Sequence, residues 1–365
     1  MKKRVLLAMS GGIDSSVAGM LLTEQGYEVH GVTYRTYDSV SDGCISKETG
    51  CCTVDSMMEA KRLSEKLGYE HEILDLRDSF KEKIITNFVD EYLSGRTPNP
   101  CVVCNSDIKW GELLERADAL DCQYIATGHY ARVLEKDGRH YLAKGIDTTK
   151  DQTYFLYGLS QNDLKRTLFP LGGFKKDEIR KMAAERGYIK LSEKRESQEI
   201  CFIPDNNYHR FLHDEVPERL NEIGKGNFVM TNGEVVGQHD GYPFYTIGQR
   251  KGLRIAMGYP VYVTEIDAKN NVVVLGKKEE LLQKSFVVGN LQLMKYKNLP
   301  KQGLNVSVKI RYRNAGSEGR IVPMGDNVKV ELTHHASAIT PGQSAVFYEN
   351  DDVVGGGIIL SVDRE

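Results

Sequence analysis

Long hydrophobic runs are missing from this 365-residue sequence, which excludes a membrane-spanning helix, since such a helix needs about 20 consecutive apolar residues. The apolar run at residues 5–9 follows a basic tip, but these five residues are fewer than a secretory signal requires. We therefore expect no membrane association and a cytoplasmic location.

An excess of positive charge is also missing, because 48 Lys and Arg residues face 51 Asp and Glu residues and the net charge is −3. A nucleic-acid partner would therefore have to be held by local basic clusters. Four clusters occur: Lys175, Lys176, Arg180 and Lys181; Lys190, Lys194 and Arg195; Arg250, Lys251 and Arg254; and Lys309, Arg311 and Arg313. Taken alone, such clusters are more typical of solvated faces than of binding sites.

The dense cysteine pattern of a small disulfide-rich protein is missing. The seven are Cys44, Cys51, Cys52, Cys101, Cys104, Cys122 and Cys201. An odd number in a long chain does not fit a disulfide framework, so reactive thiols or a metal site are the alternatives of interest. Cys122 is predicted to be a small buried hydrophobic side chain.

The first half of the sequence alternates strand and helix signals. Strands are predicted at residues 5–9, 28–34, 72–76 and 124–127, with helix-length segments between them. This order predicts an α/β fold with a doubly wound parallel sheet, whose ligands collect at the carboxyl ends of the strands. Residues 36–53 lack a clear periodicity and are predicted to form a long loop near the site.

The pattern changes after about Pro204, where helical signals give way to short β-type runs. Turn signals such as Asn232-Gly233 and Pro341-Gly342 separate these runs, which predicts one or two small β-barrels. With the family resemblance described below, the predicted domains are 1–205, 206–280 and 281–365.

The strongest local motif is SGGIDSS at residues 10–16, between the first strand and the first helix. Two glycines let backbone amides approach an anion, while the serines and the helix N-terminus favour phosphate. A simple turn is the alternative, but strand, serines, aspartate and helix in this order favour phosphate binding. The motif lacks the lysine of a Walker A loop and resembles the SGGxDS signature of the PP-loop ATP pyrophosphatases, which adenylate a substrate and release pyrophosphate.

A second motif, GRTPNPCVVCN at residues 95–105, is predicted to present Cys101 and Cys104 from a proline-stiffened loop. A helix beginning near Asp107 would place Cys104 close to a positive helix end, which favours the thiolate. A zinc or iron–sulfur site is the alternative, although a second Cys-x-x-Cys pair is missing. Cys201 is a lone cysteine in an apolar run, a pattern more typical of a core.

Seven motifs together closely resemble the tRNA-specific 2-thiouridylase family, and the resemblance covers nearly the whole chain. They are SGGIDSS (10–16), GRTPNPCVVCN (95–105), ATGHYAR (126–132), KDQTYFLY (150–157), SQEICFI (197–203), YTIGQRKGL (245–253) and KIRYR (309–313). The resemblance implies a catalytic PP-loop domain first, then a central β-rich domain and a C-terminal β-barrel that contacts tRNA.

The resemblance also implies roles for particular residues. ATP would be bound by Ala8, Met9, Ser10, Gly11, Gly12, Ile13, Asp14, Ser15, Tyr34 and Gly128. The target base and the tRNA would be held by Asn99, Pro100, Cys101, Lys150, Asp151, Gln152, Arg311 and Tyr312. Many family members have methionine where Tyr34 stands, which makes a stacking contact the expectation here.

The implied reaction adenylates the C2 oxygen of the wobble uridine, with Mg²⁺ neutralising the charge on the leaving pyrophosphate. Cys201 would carry a persulfide delivered by a cysteine desulfurase or a relay protein. Cys104 would act as the nucleophile and close a transient disulfide with Cys201. Direct attack by the persulfide and prior release of sulfide both remain open. We expect a monomer.

Several alternatives remain. Some family members have aspartate where Cys101 stands, so the acid/base residue is unassigned in this chain. An iron–sulfur cluster held by Cys101, Cys104 and Cys201 is a less favoured cofactor hypothesis. The alternative functions are another PP-loop adenylating ligase or amidotransferase with a small acceptor, and a non-enzymatic tRNA- or metal-binding module.

Overall fold

A computed structural model describes residues 2–37, 54–192 and 200–363 of the chain. Two compact units make up the described chain. The first comprises Met1–Ile84, Cys101–Asn207 and Asp351–Val353, and the second comprises Ile85–Pro100, Tyr208–Asn350 and Val354–Glu365. The predicted loop at 36–53 falls mostly outside the described residues.

Helices and strands alternate in the N-terminal part of the chain, and strands predominate from residue 226 onward. The α-helices are α1 (Ile13–Glu24), α2 (Val54–Leu67), α3 (Arg77–Phe80), α4 (Thr86–Leu93), α5 (Pro100–Val103), α6 (Gly111–Ala119), α7 (Gln161–Arg166), α8 (Lys176–Glu185), α9 (Ile189–Ser192), α10 (Tyr208–Glu215) and α11 (Pro217–Ile223). Two π-helical segments (Lys81–Ile85, Cys104–Trp110) and three short 3₁₀ segments (Thr153–Phe155, Tyr242–Phe244, Lys278–Leu281) accompany them.

The strands are β1 (Arg4–Ala8), β2 (Glu28–Arg35), β3 (Glu70–Asp75), β4 (Tyr124–Ala126), β5 (Ala131–Lys136), β6 (Arg139–Lys144), β7 (Thr167–Leu168), β8 (Gly226–Met230), β9 (Val235–His239), β10 (Tyr262–Asp267), β11 (Val272–Gly276), β12 (Leu282–Leu293), β13 (Leu304–Lys309), β14 (Ser317–Met324), β15 (Asn327–Ser337), β16 (Ser344–Glu349) and β17 (Asp352–Asp363). The hairpin of β5 and β6 was not predicted from the sequence.

A parallel sheet of order β3-β2-β1-β4-β7 forms the centre of the first unit. Strand β1 is almost wholly buried between β2 and β4, which explains its unbroken apolar sequence. Helix α1 packs on this sheet through Val17 and Leu21, and α8 covers α1 through Ile179 and Ala183. The predicted doubly wound α/β fold of this part is confirmed.

The second unit is built mainly from two β modules. The first module has the strand order β10-β11-β8-β9, and the second runs β12-β15-β14-β13-β16-β17 with β17 pairing back onto β12. Gly357 permits this closure, because a Cβ on it would lie 2.4 Å from the backbone oxygen of Gly289. The prediction of small β-rich domains after the α/β part is confirmed, while the exact predicted boundaries stay a prediction.

Within the residues that the structure describes, no helix combines the length and the apolar character needed to cross a membrane.

Candidate active site

The phosphate turn joins the carboxyl end of β1 to the start of α1. Gly11 has a φ of +66°, and a Cβ on it would lie 2.4 Å from the backbone oxygen of Ser56. Only glycine fits this crowded, left-handed position. The N-cap residue is Gly12, which has no side chain to cap α1, and an uncapped helix N-terminus is a favourable site for an anion.

The hydroxyls of Ser15 and Ser16 form hydrogen bonds with the backbone of the phosphate turn. The Ser15 hydroxyl accepts a hydrogen bond from the Ser10 amide at 3.2 Å and donates to the Gly12 carbonyl at 3.3 Å. The Ser16 hydroxyl donates to the same carbonyl at 2.7 Å. Both hydroxyls therefore hold the shape of the turn, and a direct donation to phosphate stays a prediction.

Gly128 packs against this turn from the neighbouring strand. A Cβ on Gly128 would lie 2.7 Å from the amide nitrogen of Ser15 and 2.8 Å from the carbonyl carbon of Asp14. Because β4 pairs with β1 on the side opposite β2, Gly128 meets α1 where the strand order reverses. Ligands of doubly wound sheets bind at this point, so the predicted ATP residues of β1, α1 and β4 lie together.

Asp14 is held by two side chains that the sequence did not single out for the site. The Lys176 ammonium lies 2.8 Å from both carboxylate oxygens, and the Tyr130 hydroxyl donates to Oδ1 at 2.7 Å. The Lys176 side chain is only 7% exposed. The interpretation of the 175–181 cluster as a solvated face is therefore wrong for Lys176, because α8 packs on α1 and this residue points inward.

Cys104 lies within a helical segment, and this corrects the predicted loop. Helix α5 begins at Pro100 and continues directly into the π-helix Cys104–Trp110 and then into α6. Cys101 is therefore in the first turn, and the predicted helix start near Asp107 is wrong. Proline suits the first position of a helix, whereas it was interpreted as stiffening a loop. Because helix-end effects fade within one turn, this terminus gives the Cys104 thiolate little help.

The Cys104 thiol is buried, with 9% of the residue exposed, and lies near the end of β2. Burial, and then the charge of a Cys104 thiolate, raise the pKa of Tyr34 well above its usual value. Tyr34 therefore stays protonated, and its hydroxyl donates to the Lys109 carbonyl at 3.2 Å. The predicted contact of Tyr34 with adenine stays a prediction, and the observed contact is with the helix that carries Cys104.

Lys109 is a further residue that the sequence interpretation missed. Burial first, and then the nearby Lys109 ammonium, lower the pKa of the His129 imidazole to about 3, so this side chain is neutral at physiological pH. The same ammonium acts on the Cys101 thiol. Lys109 therefore supplies positive charge near both the thiol helix and the end of β4.

Cys101 is accessible to solvent, yet the protein around it is crowded enough for desolvation to raise the pKa of its thiol. The Lys109 charge opposes this rise without cancelling it. A thiol with a raised pKa is poorly suited to acid/base work at neutral pH, as the sequence led us to expect.

Cys201 is exposed on a turn that buried neighbours hold in place. Phe202 is 2% exposed and packs edge-on against Phe80 of α3 at a centroid distance of 5.7 Å. Tyr37, which follows β2, contacts the same ring at 6.2 Å. The sequence pattern predicted a core position for Cys201. The buried residue of this run is instead Phe202, and Cys201 is exposed to solvent.

Residues at the end of β2 lie near both thiol segments. Tyr34 lies within electrostatic reach of Cys104, and Tyr37 packs on Phe202, the neighbour of Cys201. Both thiol segments therefore lie at the carboxyl edge of the parallel sheet, the same edge that carries the phosphate turn.

The predicted tRNA-contacting residues 150–152 are anchored inside the first unit. Asp151 is 4% exposed, and its carboxylate accepts hydrogen bonds from the Thr153 amide at 3.2 Å and hydroxyl at 2.9 Å. Gln152 exchanges two hydrogen bonds with the Tyr130 backbone, at 3.0 and 3.1 Å. The Asp151 carboxylate thus shapes this turn, and its contact with tRNA stays a prediction.

The same segment continues onto the thiol helix. Asn105, which follows Cys104, donates from Nδ2 to the Phe155 carbonyl at 2.9 Å. A Cβ on Gly158 would lie 3.4 Å from the Cβ of Ser106. Residues 150–158 therefore contact both Tyr130, which hydrogen-bonds to Asp14 of the phosphate turn, and the helix that carries Cys104.

Asn99 belongs to the second unit, where a turn of the barrel holds the segment before it. The Asn99 side chain donates to the Ser344 hydroxyl at 3.4 Å. Gln343 donates to the carbonyl oxygens of Thr97 at 3.1 Å and Pro98 at 2.8 Å. The predicted role of Asn99 and Pro100 in holding the base stays a prediction.

Arg311 also belongs to the second unit and lines a cavity of about 300 Å³ together with Lys278 and Thr97. Its guanidinium donates to the Ala338 carbonyl. The neighbouring Tyr312 is half-buried. Two cationic side chains on one cavity fit the predicted contact of Arg311 with a polyanion, which stays a prediction.

Within the described residues, no three His, Cys, Asp or Glu side chains are grouped as ligands for a metal ion. Cys101, Cys104 and Cys201 are therefore not assembled as a cluster site in this structure.

Three family models cover the chain in succession. The tRNA methyl transferase HUP domain matches residues 3–205, the tRNA methyl transferase PRC-barrel domain matches 209–277, and the aminomethyltransferase beta-barrel domain matches 283–359. The fold and the phosphate turn thus define a HUP-domain protein with two β modules.

Curated relatives narrow the class to one family. A tRNA-specific 2-thiouridylase MnmA of Cytophaga hutchinsonii is 53% identical over 99% of this chain and 98% of its own length. Another protein of that name, from Amoebophilus asiaticus, is 54% identical over 98% of this chain and 95% of its own length. The chain belongs to the tRNA-specific 2-thiouridylase family. A 4-thiouridine synthetase–RNA complex with bound ATP covers 60% of this chain and 51% of its own, at 18% identity and a TM-score of 0.35, too low to support an argument.

Proposed function

We propose that this chain catalyses the ATP-dependent 2-thiolation of the wobble uridine of tRNA. The observation that carries the proposal is that the phosphate turn and the segments of Cys104 and Cys201 lie at the same edge of the parallel sheet. Relatives named tRNA-specific 2-thiouridylase match nearly the full length, which supports the choice of substrate.

The phosphate turn would hold the triphosphate of ATP against the start of α1. The C2 oxygen of the uridine attacks the α-phosphorus, pyrophosphate leaves, and the adenylated oxygen becomes a good leaving group. The Lys109 ammonium supplies positive charge near this edge, where negative charge builds up. Mg²⁺ would accompany the phosphates, as it commonly does in nucleotide sites.

Sulfur transfer would use the exposed thiol first. Cys201 receives a sulfur atom as a persulfide from a cysteine desulfurase or a relay protein, which needs access from solvent. The terminal sulfur attacks C2 and AMP leaves with the former C2 oxygen. The Cys104 thiolate then attacks the Cys201 sulfur, which breaks the S–S bond, leaves the sulfur on C2 and forms a Cys104–Cys201 disulfide.

The remaining parts of the proposal concern partners. Residues 150–152, Asn99, Arg311 and Tyr312 would contact tRNA, and the protein would act as a monomer in the cytoplasm. A stem-loop or whole tRNA would be needed, since an isolated uridine offers no phosphates to the basic side chains.

The test is incubation of the protein with unmodified tRNA, ATP, Mg²⁺ and a persulfide donor, followed by nucleoside mass analysis. We expect one uridine per tRNA to exchange an oxygen for a sulfur, and AMP to form in equal amount. Pyrophosphate release without any sulfur-containing nucleoside would contradict the proposal and favour an adenylating ligase with another acceptor.

A further inference from the structure

The peptide bond between Met9 and Ser10, which leads from β1 into the phosphate turn, is hydrogen-bonded on both sides. The Met9 carbonyl accepts a hydrogen bond from the Thr33 hydroxyl of β2 at 2.8 Å. The Ser10 amide donates to the Ser15 hydroxyl at 3.2 Å. Because a peptide unit is planar and rigid, these two bonds fix its orientation and, with it, the start of the turn.

The Thr33 hydroxyl is itself hydrogen-bonded to His71 of β3. The imidazole Nε2 lies 2.9 Å from Thr33 Oγ1. A hydroxyl carries one proton, and Thr33 donates that proton to the Met9 carbonyl, so the proton in the second bond must come from the imidazole. His71 is therefore protonated on Nε2. Burial, and then the charge of His30, lower the pKa of His71, so the ring is neutral at physiological pH and its Nδ1 carries no proton.

These bonds form one chain, with every proton donated in the same direction, from β3 to the start of α1. His71 donates to Thr33, and Thr33 donates to the Met9 carbonyl. The amide of the same peptide bond donates to the Ser15 hydroxyl, which donates to the Gly12 carbonyl at 3.3 Å. Hydrogen bonds in such a chain polarise and strengthen one another. The imidazole at its outer end therefore bears on the shape of the phosphate turn.

The place of the imidazole is set by close packing. His71 pairs with Gly31 of β2, and a Cβ on Gly31 would lie 2.9 Å from His71 Cδ2 and 2.9 Å from Met9 Sδ. Thr33 is 1% exposed and Met9 is 3% exposed, so water is kept away from the Met9 carbonyl. Because a buried carbonyl without a donor is unfavourable, loss of the Thr33 bond would turn the peptide unit and the Ser10 amide with it.

We propose that His71 is a positioning residue for ATP, because its Nε2 proton holds the Thr33 hydroxyl in the orientation that fixes the Met9 carbonyl and the phosphate turn. The imidazole acts through Thr33 rather than by contact with the nucleotide. The inference rests on the proposed use of ATP by this turn, and it assigns a role to a side chain that lies outside every sequence motif.

The experiment compares two substitutions that differ only in the reach of their amide group. Glutamine carries an N–H at about the distance of Nε2, whereas asparagine reaches only as far as Nδ1, so His71→Gln keeps the donor to Thr33 and His71→Asn loses it. Calorimetry measures the affinity for ATP·Mg²⁺, and filter binding measures the affinity for unmodified tRNA. The rate of uridine thiolation at saturating ATP and the melting temperature are recorded for each variant.

Two further variants and a control complete the set. Thr33→Val removes the hydroxyl between His71 and Met9, and it is also combined with His71→Asn. The control is His140→Asn on β6 of the same unit, where the imidazole is 20% exposed and lies 3.6 Å from the Glu135 carboxylate.

We expect His71→Asn to weaken ATP binding about 3- to 10-fold, as the loss of one buried hydrogen bond would, and His71→Gln to stay within about twofold of the unaltered protein. Affinity for tRNA and the rate at saturating ATP should change little in both. Thr33→Val should lose at least as much ATP affinity as His71→Asn, and the double variant should lose no more than Thr33→Val alone. His140→Asn should bind ATP as the unaltered protein does. A merely structural role for His71 would lower the melting temperature without separating the two amide variants in ATP affinity.

Normal ATP affinity in His71→Asn would overturn the inference, as would a His71→Gln variant that binds ATP as weakly as His71→Asn. If His71→Asn does not fold, NMR of the imidazole nitrogens decides, with the His71 signal identified by its loss in His71→Gln. A proton on Nε2 in the unaltered protein supports the inference, and a proton on Nδ1 overturns it. If the unaltered protein binds no ATP, the inference fails, and the nucleoside assay for thiolated uridine still judges the proposed function separately.

Discussion

At the scale of single residues, the proposed reaction needs both thiols, although Cys104 is buried and Cys201 is exposed. We expect Cys104→Ser and Cys201→Ser each to reduce uridine thiolation at least ~1,000-fold, since serine forms neither a persulfide nor a disulfide. ATP–pyrophosphate exchange should persist in both, because the phosphate turn is intact. Nucleoside mass analysis and the exchange assay measure the two activities separately.

Two other cysteines serve as controls for this prediction. Cys122 is buried before β4, at the end of that strand remote from Gly128, and Cys122→Ser should keep full thiolation. Cys101→Ser should keep activity within about threefold, because the raised pKa of the Cys101 thiol leaves it uncharged. A Cys101 variant as inactive as Cys104→Ser would show that Cys101 takes part in the chemistry.

His129 leads to a prediction about pH. Its pKa is about 3 in the folded protein and ordinarily 6.5, so between these values the unfolded chain binds a proton that the folded chain does not. The free energy of unfolding must therefore fall as the pH falls from 6.5 towards 3. In His129→Asn, the decrease in the free energy of unfolding between pH 6.5 and 3 should be smaller by roughly 1–3 kcal/mol. Urea unfolding at several pH values in this range measures the difference.

The exposed His335 provides the control for the pH prediction. His335→Asn should leave the pH dependence of unfolding unchanged. If the free energy of unfolding of His129→Asn depends on pH as steeply as that of the unaltered protein, the His129 imidazole is not buried as described.

Candidate residues could be predicted from the sequence where they belong to a motif. Residues whose position at the site depends only on tertiary packing were missed. Gly11, Gly12 and Cys104 could be singled out as candidates because glycine pairs and Cys-x-x-Cys spacing carry their own chemistry, and their roles stay predictions. Lys176 stands in an ordinary basic run, and nothing local distinguishes it from Lys181. Its pairing with Asp14 depends on α8 packing onto α1, a contact between residues 162 positions apart.

At the scale of secondary-structure elements, the contact of Gly128 with α1 can be tested directly. A methyl group at Gly128 would meet the Ser15 amide at 2.7 Å, so the end of β4 and the start of α1 would have to separate. We expect Gly128→Ala to lower the free energy of unfolding by about 1–3 kcal/mol and to weaken ATP binding. Denaturant unfolding and calorimetry measure the two effects.

Gly173 is a matched control for that substitution, since it lies in the same unit and a Cβ on it would meet nothing within 4 Å. Gly173→Ala should change neither stability nor ATP affinity appreciably. Equal effects of the two substitutions would refute the assigned close approach at Gly128.

The elements themselves could be predicted where their periodicity was clear. The alternation of the first half identified β1 to β4 to within a few residues, because buried parallel strands are continuous apolar runs. The helix at Cys104 was misplaced, since Pro100 suits either a rigid loop or the first residue of a helix. The hairpin of β5 and β6 was missed because its half-exposed residues alternate weakly.

At the scale of the whole molecule, the net charge of −3 bears on how tRNA is held. Binding that depends on basic side chains should weaken with added salt, with a slope proportional to the number of phosphates that they contact. Arg250 and Lys251 are both exposed. The double variant Arg250→Ala/Lys251→Ala should reduce the slope of log affinity against log salt by roughly 1.4–2, measured by filter binding.

A second double variant controls for the change in net charge. Lys269 and Lys301 are exposed and lie outside the basic clusters, so Lys269→Ala/Lys301→Ala removes the same charge elsewhere. Its salt slope should match that of the unaltered protein. Identical slopes for all three proteins would show that the 250–254 cluster is a solvated face after all.

The only tryptophan of the chain is Trp110, which closes the π-helical turn begun by Cys104. It is 1% exposed, donates from its indole nitrogen to Thr167 at 2.8 Å and lies 5.7 Å from the His129 ring. Fluorescence excited selectively in tryptophan therefore reports on the surroundings of Trp110 alone. The protein carries its own fluorophore at the helix that would respond to nucleotide and sulfur, so each step could be followed by emission without any attached dye.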